Sequence, residues 1–278
     1  MTCRINVTSC MRLITATACL GLCGLWAVAV PSPQKEEEDS TRRIWNKRFR
    51  EARDHVRSRR ARGVAGGGEL VGFTIWRLRE TTANDGQSYP KVERAMADTS
   101  FSEGEQVRLS IEVPLEEDRY LYVIDREVFA DGTMGDPYLI FPSQDTPRQG
   151  NIVMAGKPVY VPAQDDHFTL VRARKDQVRE NLTIIITPTP LKVPLGMPDT
   201  PAKLDRARVA QWEKQWGGRI ERREEKDGAG KQWTEAEKNA GGGERRLLRG
   251  DPLPQTIYFL KVKPGMPMLL HTPLQIRP

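Results

Sequence analysis

Beyond residue 29 the chain contains no cysteine: Cys3, Cys10, Cys19 and Cys23 all fall within the first 29 residues. The remaining 249 residues must be held by an ordinary apolar core, since neither disulfides nor thiolate metal sites are open to them. Histidine is nearly as scarce. His55, His167 and His271 are the only three, and none is paired at ligand spacing, which argues against a histidine zinc site. The chain has no Gly-Lys-Ser/Thr phosphate loop, no dinucleotide fingerprint and no Gly-x-Ser-x-Gly elbow. A Ser-His-Asp assembly stays open, because such groups meet only in space. No catalytic residue, no cofactor and no metal is therefore assigned.

Charge is scarce in one place. Arg4 and Arg12 are the only charged residues among the first 29, where "LITATACLGLCGLWAVAV" forms a long apolar run ending in Ala27, Val28 and Ala29. A basic start, an apolar middle and small residues at the cut describe a secretory signal over 1–29, with translation starting at Met1 or at Met11. Retention as an anchor is the alternative, because the apolar run over 13–30 is just long enough to span a bilayer. Lipidation at Cys19, after Ala16, Thr17 and Ala18, is a third. Loss of the signal lowers the net charge from +6 to +4. A mildly basic exported chain, periplasmic or extracellular, fits an envelope protein or an anionic envelope polymer as partner rather than nucleic acid.

Residues 30–41 have little apolar content beyond Val30 and read as a disordered spacer. In "RRIWNKRFREARDHVRSRRARG", Trp45, Phe49, Ala52 and Val56 fall on one helical stripe among arginines. Residues 42–69 thus predict a basic amphipathic helix followed by a glycine-rich joint. Residues 42–62 could touch an anionic membrane surface; the plainer alternatives are a solvated arm or a helix docked on the domain.

From residue 72 the period becomes two. In "QVRLSIEV", Val107, Leu109, Ile111 and Val113 point to a core, while Arg108, Ser110 and Glu112 point to water. "RYLYVID" is apolar on both faces and predicts a central strand covered on both sides. "GFTIWRLRE", "YLIF", "KPVYV", "HFTLV" and "NLTIII" add further strands, with turn residues between them. The predicted fold is mainly β: an antiparallel β-sandwich or open barrel over 70–198 with peripheral α-helices. Residues 80–100 carry no clear pattern. Residues 199–250 are heavily charged and predict no strand, only one or two surface helices, with Leu204, Trp212 and Trp216 as a stripe and Thr234 as an N-cap. "QTIYFLKV" and "MLLHTPLQI", within 251–278, predict a C-terminal hairpin that completes the sheet.

The acidic stretch "DRYLYVIDREVFADGTMGDPYLIFP" raises the sharpest functional question. Asp125, Asp131 and Asp136 either converge on a ligand or flank a bend. Calcium-loop spacing fails, since Phe129 or Gly135 occupies a ligand position, whereas Asp131 followed by Gly132 is a strong turn signal. Gly104 and Gly156 also mark turns, and Pro142 and Pro162 mark strand ends. Trp212, Trp216 and Trp233, with Trp45 and Phe49, are candidate partner-contacting residues, because tryptophan is enriched at binding hot spots; packing is the competing role.

The run from Phe101 to Leu191 resembles the bacterial domain of unknown function numbered 4384. The resemblance is carried by Phe101, Gly104, Glu105, the 120–124 run, Asp131, Gly132, Ile140, Phe141 and Pro142. It continues through Ala155, Gly156, Val161, Pro162, the 180–185 run, Pro190 and Leu191. It covers about a third of the chain. It implies a small β-rich domain, often joined to caspase-like peptidase or kinase regions or found in exported proteins, with no catalytic residue to carry over. This chain departs from that pattern in lacking a recognisable catalytic partner and in its charged excursion. The expected function is a non-enzymatic binding module of the cell envelope. The alternative is an envelope hydrolase or ligand sensor whose polar cleft brings Asp125, Asp131 and Asp136 to Asp165, Asp166 and His167.

Overall fold

Alternation of apolar and polar residues commits most of the chain to strands, and two sheets packed face to face result. The structure, a computed structural model, describes residues 6–7, 69–82, 88–115, 117–162, 166–225, 227–242, 245–248, 251–263 and 265–277. The expected spacer and the amphipathic helix with Trp45 and Phe49 lie outside the described residues, as does the expected signal apart from 6–7.

In chain order the first strands are β1 (Asn6–Val7), β2 (Glu69–Thr82), β3 (Ser88–Ala95), β4 (Ser100–Phe101), β5 (Gln106–Glu112) and β6 (Arg119–Asp125). Next come β7 (Glu127–Phe129), β8 (Tyr138–Phe141), β9 (Ile152–Val153), β10 (Val159–Val161), β11 (Phe168–Thr169) and β12 (Gln177–Thr187). The remainder are β13 (Ala202–Lys203), α1 (Arg206–Trp216), β14 (Ile220–Glu224), α2 (Glu235–Gly241), β15 (Thr256–Leu260) and β16 (Met268–Ile276). Sheet I runs β1-β11-β5-β2-β15-β14, with β10 also on β5 and β3 also on β2. Sheet II runs β13-β8-β6-β12-β16-β4, with β7 also on β12 and β9 also on β6. Strand pairs are antiparallel, apart from β4 beside β16. The fold is a β-sandwich and not a closed barrel. Because β1 lies at the end of sheet I, its loss would leave the rest of the order intact.

The period of two decides what each face buries. Val71, Phe73, Ile75, Leu109 and Ile111 of sheet I meet Leu121, Val123, Leu182, Ile184 and Leu270 of sheet II in the main core. Each such side chain contributes about 1.5–3 kcal/mol on burial. Tyr258 of sheet I also donates its hydroxyl hydrogen across the core to Thr272 Oγ1 of sheet II, at 2.9 Å. The central position expected of "RYLYVID" is found: Leu121 and Val123 face the main core, while Tyr122 and Ile124 face a second apolar layer outside sheet II. That layer is closed by Leu204 and by Val209 and Trp212 of α1.

Three expectations need correction. The polar face of β5 does not point to water: Arg108, Ser110 and Glu112 are buried, because part of the 225–255 segment lies across them. The 199–250 excursion does contain strands. β13 extends sheet II beside β8, and β14 forms the edge of sheet I beside β15. "IERRE" has no apolar alternation, since an edge strand needs main-chain partners and gains protection from charge. Finally, the last two strands form no hairpin. β15 joins sheet I and β16 joins sheet II, with Gly265 (φ 83°) in the turn between them. Each strand carries its own core-facing row, and the two rows face each other across the core rather than side by side.

The excursion carries two helices among the described residues. Asp205 caps α1 by accepting from the Arg208 amide. Thr234 and Glu237 form a reciprocal capping box on α2. Among the described residues no helix is long and apolar enough to cross a membrane.

Candidate functional site

The three aspartates of the acidic stretch go to three different places. Asp131 is exposed at the tip of a tight turn, where its Oδ1 accepts from the Thr133 amide at 2.8 Å and the Thr133 hydroxyl at 2.6 Å. Those bonds hold its carboxyl below the usual range. Gly132 takes φ 81°, and the Phe129 amide donates to the Thr133 carbonyl at 3.0 Å. Asp136 is bound by Lys203 Nζ and Arg206 Nε, each at 2.5 Å, which lowers its carboxyl as well and ties α1 to the stretch. Asp125 is buried in β6. The stretch is a bend. Gly104 takes φ 85° and Gly156 φ 72°, while β8 ends before Pro142 and β10 before Pro162.

His167 precedes β11 in sheet I, whereas Asp125 belongs to sheet II. Burial lowers the His167 pKa, helped by the Arg108 guanidinium, while Asp166 opposes them. Asp165 lies outside the described residues. The described members of the expected cleft thus belong to different elements: Asp125 to sheet II, His167 to the approach to sheet I, and Asp131 and Asp136 to the bend. Among the described residues no three acidic, histidine or cysteine side chains are arranged to hold a metal ion.

The tryptophans separate into packing and surface roles. Trp212 fills the layer outside sheet II and is 7% exposed, so it is a packing anchor rather than a contact residue. Trp216, half-buried, stacks on it with centroids 5.6 Å apart and planes 12° from parallel. Trp233 is different. Its indole donates to Tyr160 Oη at 3.0 Å, and its ring lies 5.1 Å from Tyr160 and 5.7 Å from Trp76. The Arg108 guanidinium sits 5.0 Å above Trp233, and Arg94 sits 5.1 Å above Trp76. Cation–π contacts of this kind gain strength when desolvated. Beneath them Arg94 pairs with Glu237 of α2 and donates to the Leu253 carbonyl; both ion-pair partners are buried. This stack fastens the charged excursion to sheet I.

Trp233 remains half-buried because it also lines a cleft of about 300 Å³ with Thr81, Tyr89, Lys91, Val92, Gln232 and Lys238. Tyr89 is 46% exposed. Lys91 pairs with Glu93 at 3.1 Å and Lys238 with Glu235 at 2.6 Å. Two aromatic groups and two ammonium groups thus share one concave surface between β3 and the excursion. Sequence reasoning singles out Trp233 but misses Tyr89 and Lys91. Pro90 interrupts that strand pattern, and a central strand would not tolerate it; β3, which lies to one side of β2, does.

The fold and the cleft define a two-sheet β-sandwich with a helical covering and an aromatic, basic surface groove. No family model matches the chain, and it matches no curated protein and no solved structure.

Proposed function

We propose that this protein is a non-enzymatic binding module of the cell envelope that grips an anionic envelope polymer in the cleft between Tyr89, Lys91, Trp233 and Lys238. The observation that carries the reading is the cleft's composition: flat aromatic surface for stacking beside ammonium groups for charge. Trp233 is held from behind by Tyr160, Trp76 and Arg108, so little ordering is lost when a ligand lands on its free side. The lysine–glutamate pairs at the rim are partly exposed, and an incoming acidic group can compete for the ammonium groups. The export signal read in residues 1–29 supports a setting outside the cytoplasm, and the basic segment 42–62 adds a second contact with an anionic surface. The resemblance of residues 101–191 to the bacterial domain numbered 4384 fits the same setting.

The test is isothermal titration of the full chain with a uronate-bearing polysaccharide and with its neutral counterpart. Binding is expected for the acidic polymer only, weakening as salt rises. The double variant K91Q/K238Q should bind about tenfold more weakly, since two charge-assisted contacts of this kind are together worth roughly 1.4 kcal/mol or more. Equal binding of the neutral polymer, or no loss in the double variant, would refute the assignment.

A further inference from the structure

At the end of the core near β7, three carboxyl groups lie where apolar residues would be expected. Asp125, Glu127 and Glu180 are 3%, 9% and 3% exposed. Alternation puts Asp125 on the same face of β6 as Leu121 and Val123, and Glu180 on the same face of β12 as Leu182 and Ile184. Glu127 stands directly opposite Glu180 in the β7–β12 register. The carboxyls of Asp125 and Glu180 are close enough to act on one another. Gln177 donates its amide to Glu180 Oε1 at 2.6 Å, while the buried Asp125 Oδ1 and Glu180 Oε2 accept no hydrogen bond from any donor among the described residues. A carboxylate oxygen cannot donate, so a hydrogen bond between two carboxyls requires a proton on one of them.

We propose that Asp125 and Glu180 form a proton-sharing carboxyl pair that clasps β6 to β12 while protonated and loosens this end of the sandwich when the proton leaves. The charged groups acting on the pair support this. Asp125 feels burial first and then Glu127, which push it up to about 7. Glu180 is raised by burial, then by Asp125, with Gln177 opposing and Glu127 adding. Arg126, next to Asp125, is directed instead to Glu213 and to the Gly135 carbonyl. Arg179, next to Glu180, leaves its buried Nε without a hydrogen-bond partner. Tyr138 of β8 faces Asp125 across the strand register. A carboxyl raised on folding stabilises fully below its unfolded value near 4, and that contribution fades as pH rises towards about 7. An exported chain meets external pH directly, so the clasp would make its stability respond to acid.

The experiment compares thermal unfolding of the full chain with that of D125N and E180Q from pH 4.5 to 8. The wild-type Tm should fall by several degrees between pH 5 and 7.5 relative to either variant, which cannot ionise at the substituted position. Using the difference removes His167 and His271, whose pKa values are lowered and which act with the opposite sign. It also removes Glu237, which acts with the same sign. Should a variant fail to fold, isotope-edited infrared spectra of the wild-type still decide the matter. A protonated-carboxyl band at pH 5.5 that vanishes by pH 8 supports the pair, and fully ionised carboxylates at pH 5.5 overturn it. Parallel pH profiles for wild type and variants, or a calcium-induced rise in Tm that E180Q abolishes, would also overturn it.

Discussion

Replacing Arg94 with methionine should destabilise the protein by about 3–5 kcal/mol, the usual cost of stranding one member of a buried ion pair. Arg94 and Glu237 expose only 3% and 6% of their side chains. Removal of the guanidinium leaves the Glu237 carboxyl without its cation in a place where burial already pushes its pKa up. The Leu253 carbonyl loses a donor and Trp76 loses the cation above its ring. Physically, α2 and the segment at Leu253 come loose from sheet I together. The charge-free double substitution R94M/E237L should recover much of the loss, because it removes both desolvation penalties at once. Urea unfolding of the single and double variants measures this coupling directly. A loss below about 1 kcal/mol for R94M would mean that the excursion is not seated on the sheet.

Trp212→Ala should cost about 3–5 kcal/mol, the range for deleting a buried aromatic side chain. Trp212 closes the apolar layer over Tyr122, Ile124, Ile185 and Leu269, with Trp216 stacked on it and the Arg208 guanidinium 5.0 Å from its ring. For a domain of this size that loss corresponds to a fall in Tm of roughly 10 °C. Trp216→Ala, at a half-buried position, should cost less than half as much. If Trp212 were a partner-contacting residue, the substitution would instead leave Tm unchanged and alter only binding; differential scanning calorimetry separates the two.

These two residues also mark where the sequence can and cannot be read. Strands β2 and β5 are legible because apolar residues recur along one face, so that a one-residue slip would turn the row out of the core, and β6, β12 and β16 because they carry continuous apolar runs that serve both layers. β14 is not legible, since an exposed edge strand needs only backbone partners. The polar face of β5 looks solvent-facing because Arg108, Ser110 and Glu112 are ordinarily surface residues. Their burial depends on Trp233, Tyr160 and the excursion, more than a hundred positions away from β5 for Trp233, and no local period carries that information. The same holds for the last two strands. Their pattern specifies strands, but not which sheet each joins. At the candidate site, the Asp131–Gly132 turn can be read from local chemistry, and Trp233 stands out for its size in a charged segment. Tyr89 and Lys91 do not, because Pro90 breaks the run between them. The carboxyl pair is equally hidden: Asp125 reads with its neighbours Asp131 and Asp136, whereas its partner, Glu180, comes from β12.

Above all, the charged excursion must be a fixed part of the fold, since it buries the outer face of sheet I and supplies Trp233 and Lys238 to the cleft. Its backbone is tied to β3 by the Gly230 amide donating to the Arg94 carbonyl at 2.9 Å and the Trp233 amide donating to the Val92 carbonyl at 3.2 Å. Hydrogen exchange at these two amides is the most direct test. Protection comparable to that of the β5 amides is predicted; exchange at the rate of an unstructured peptide, with β5 still protected, would contradict it.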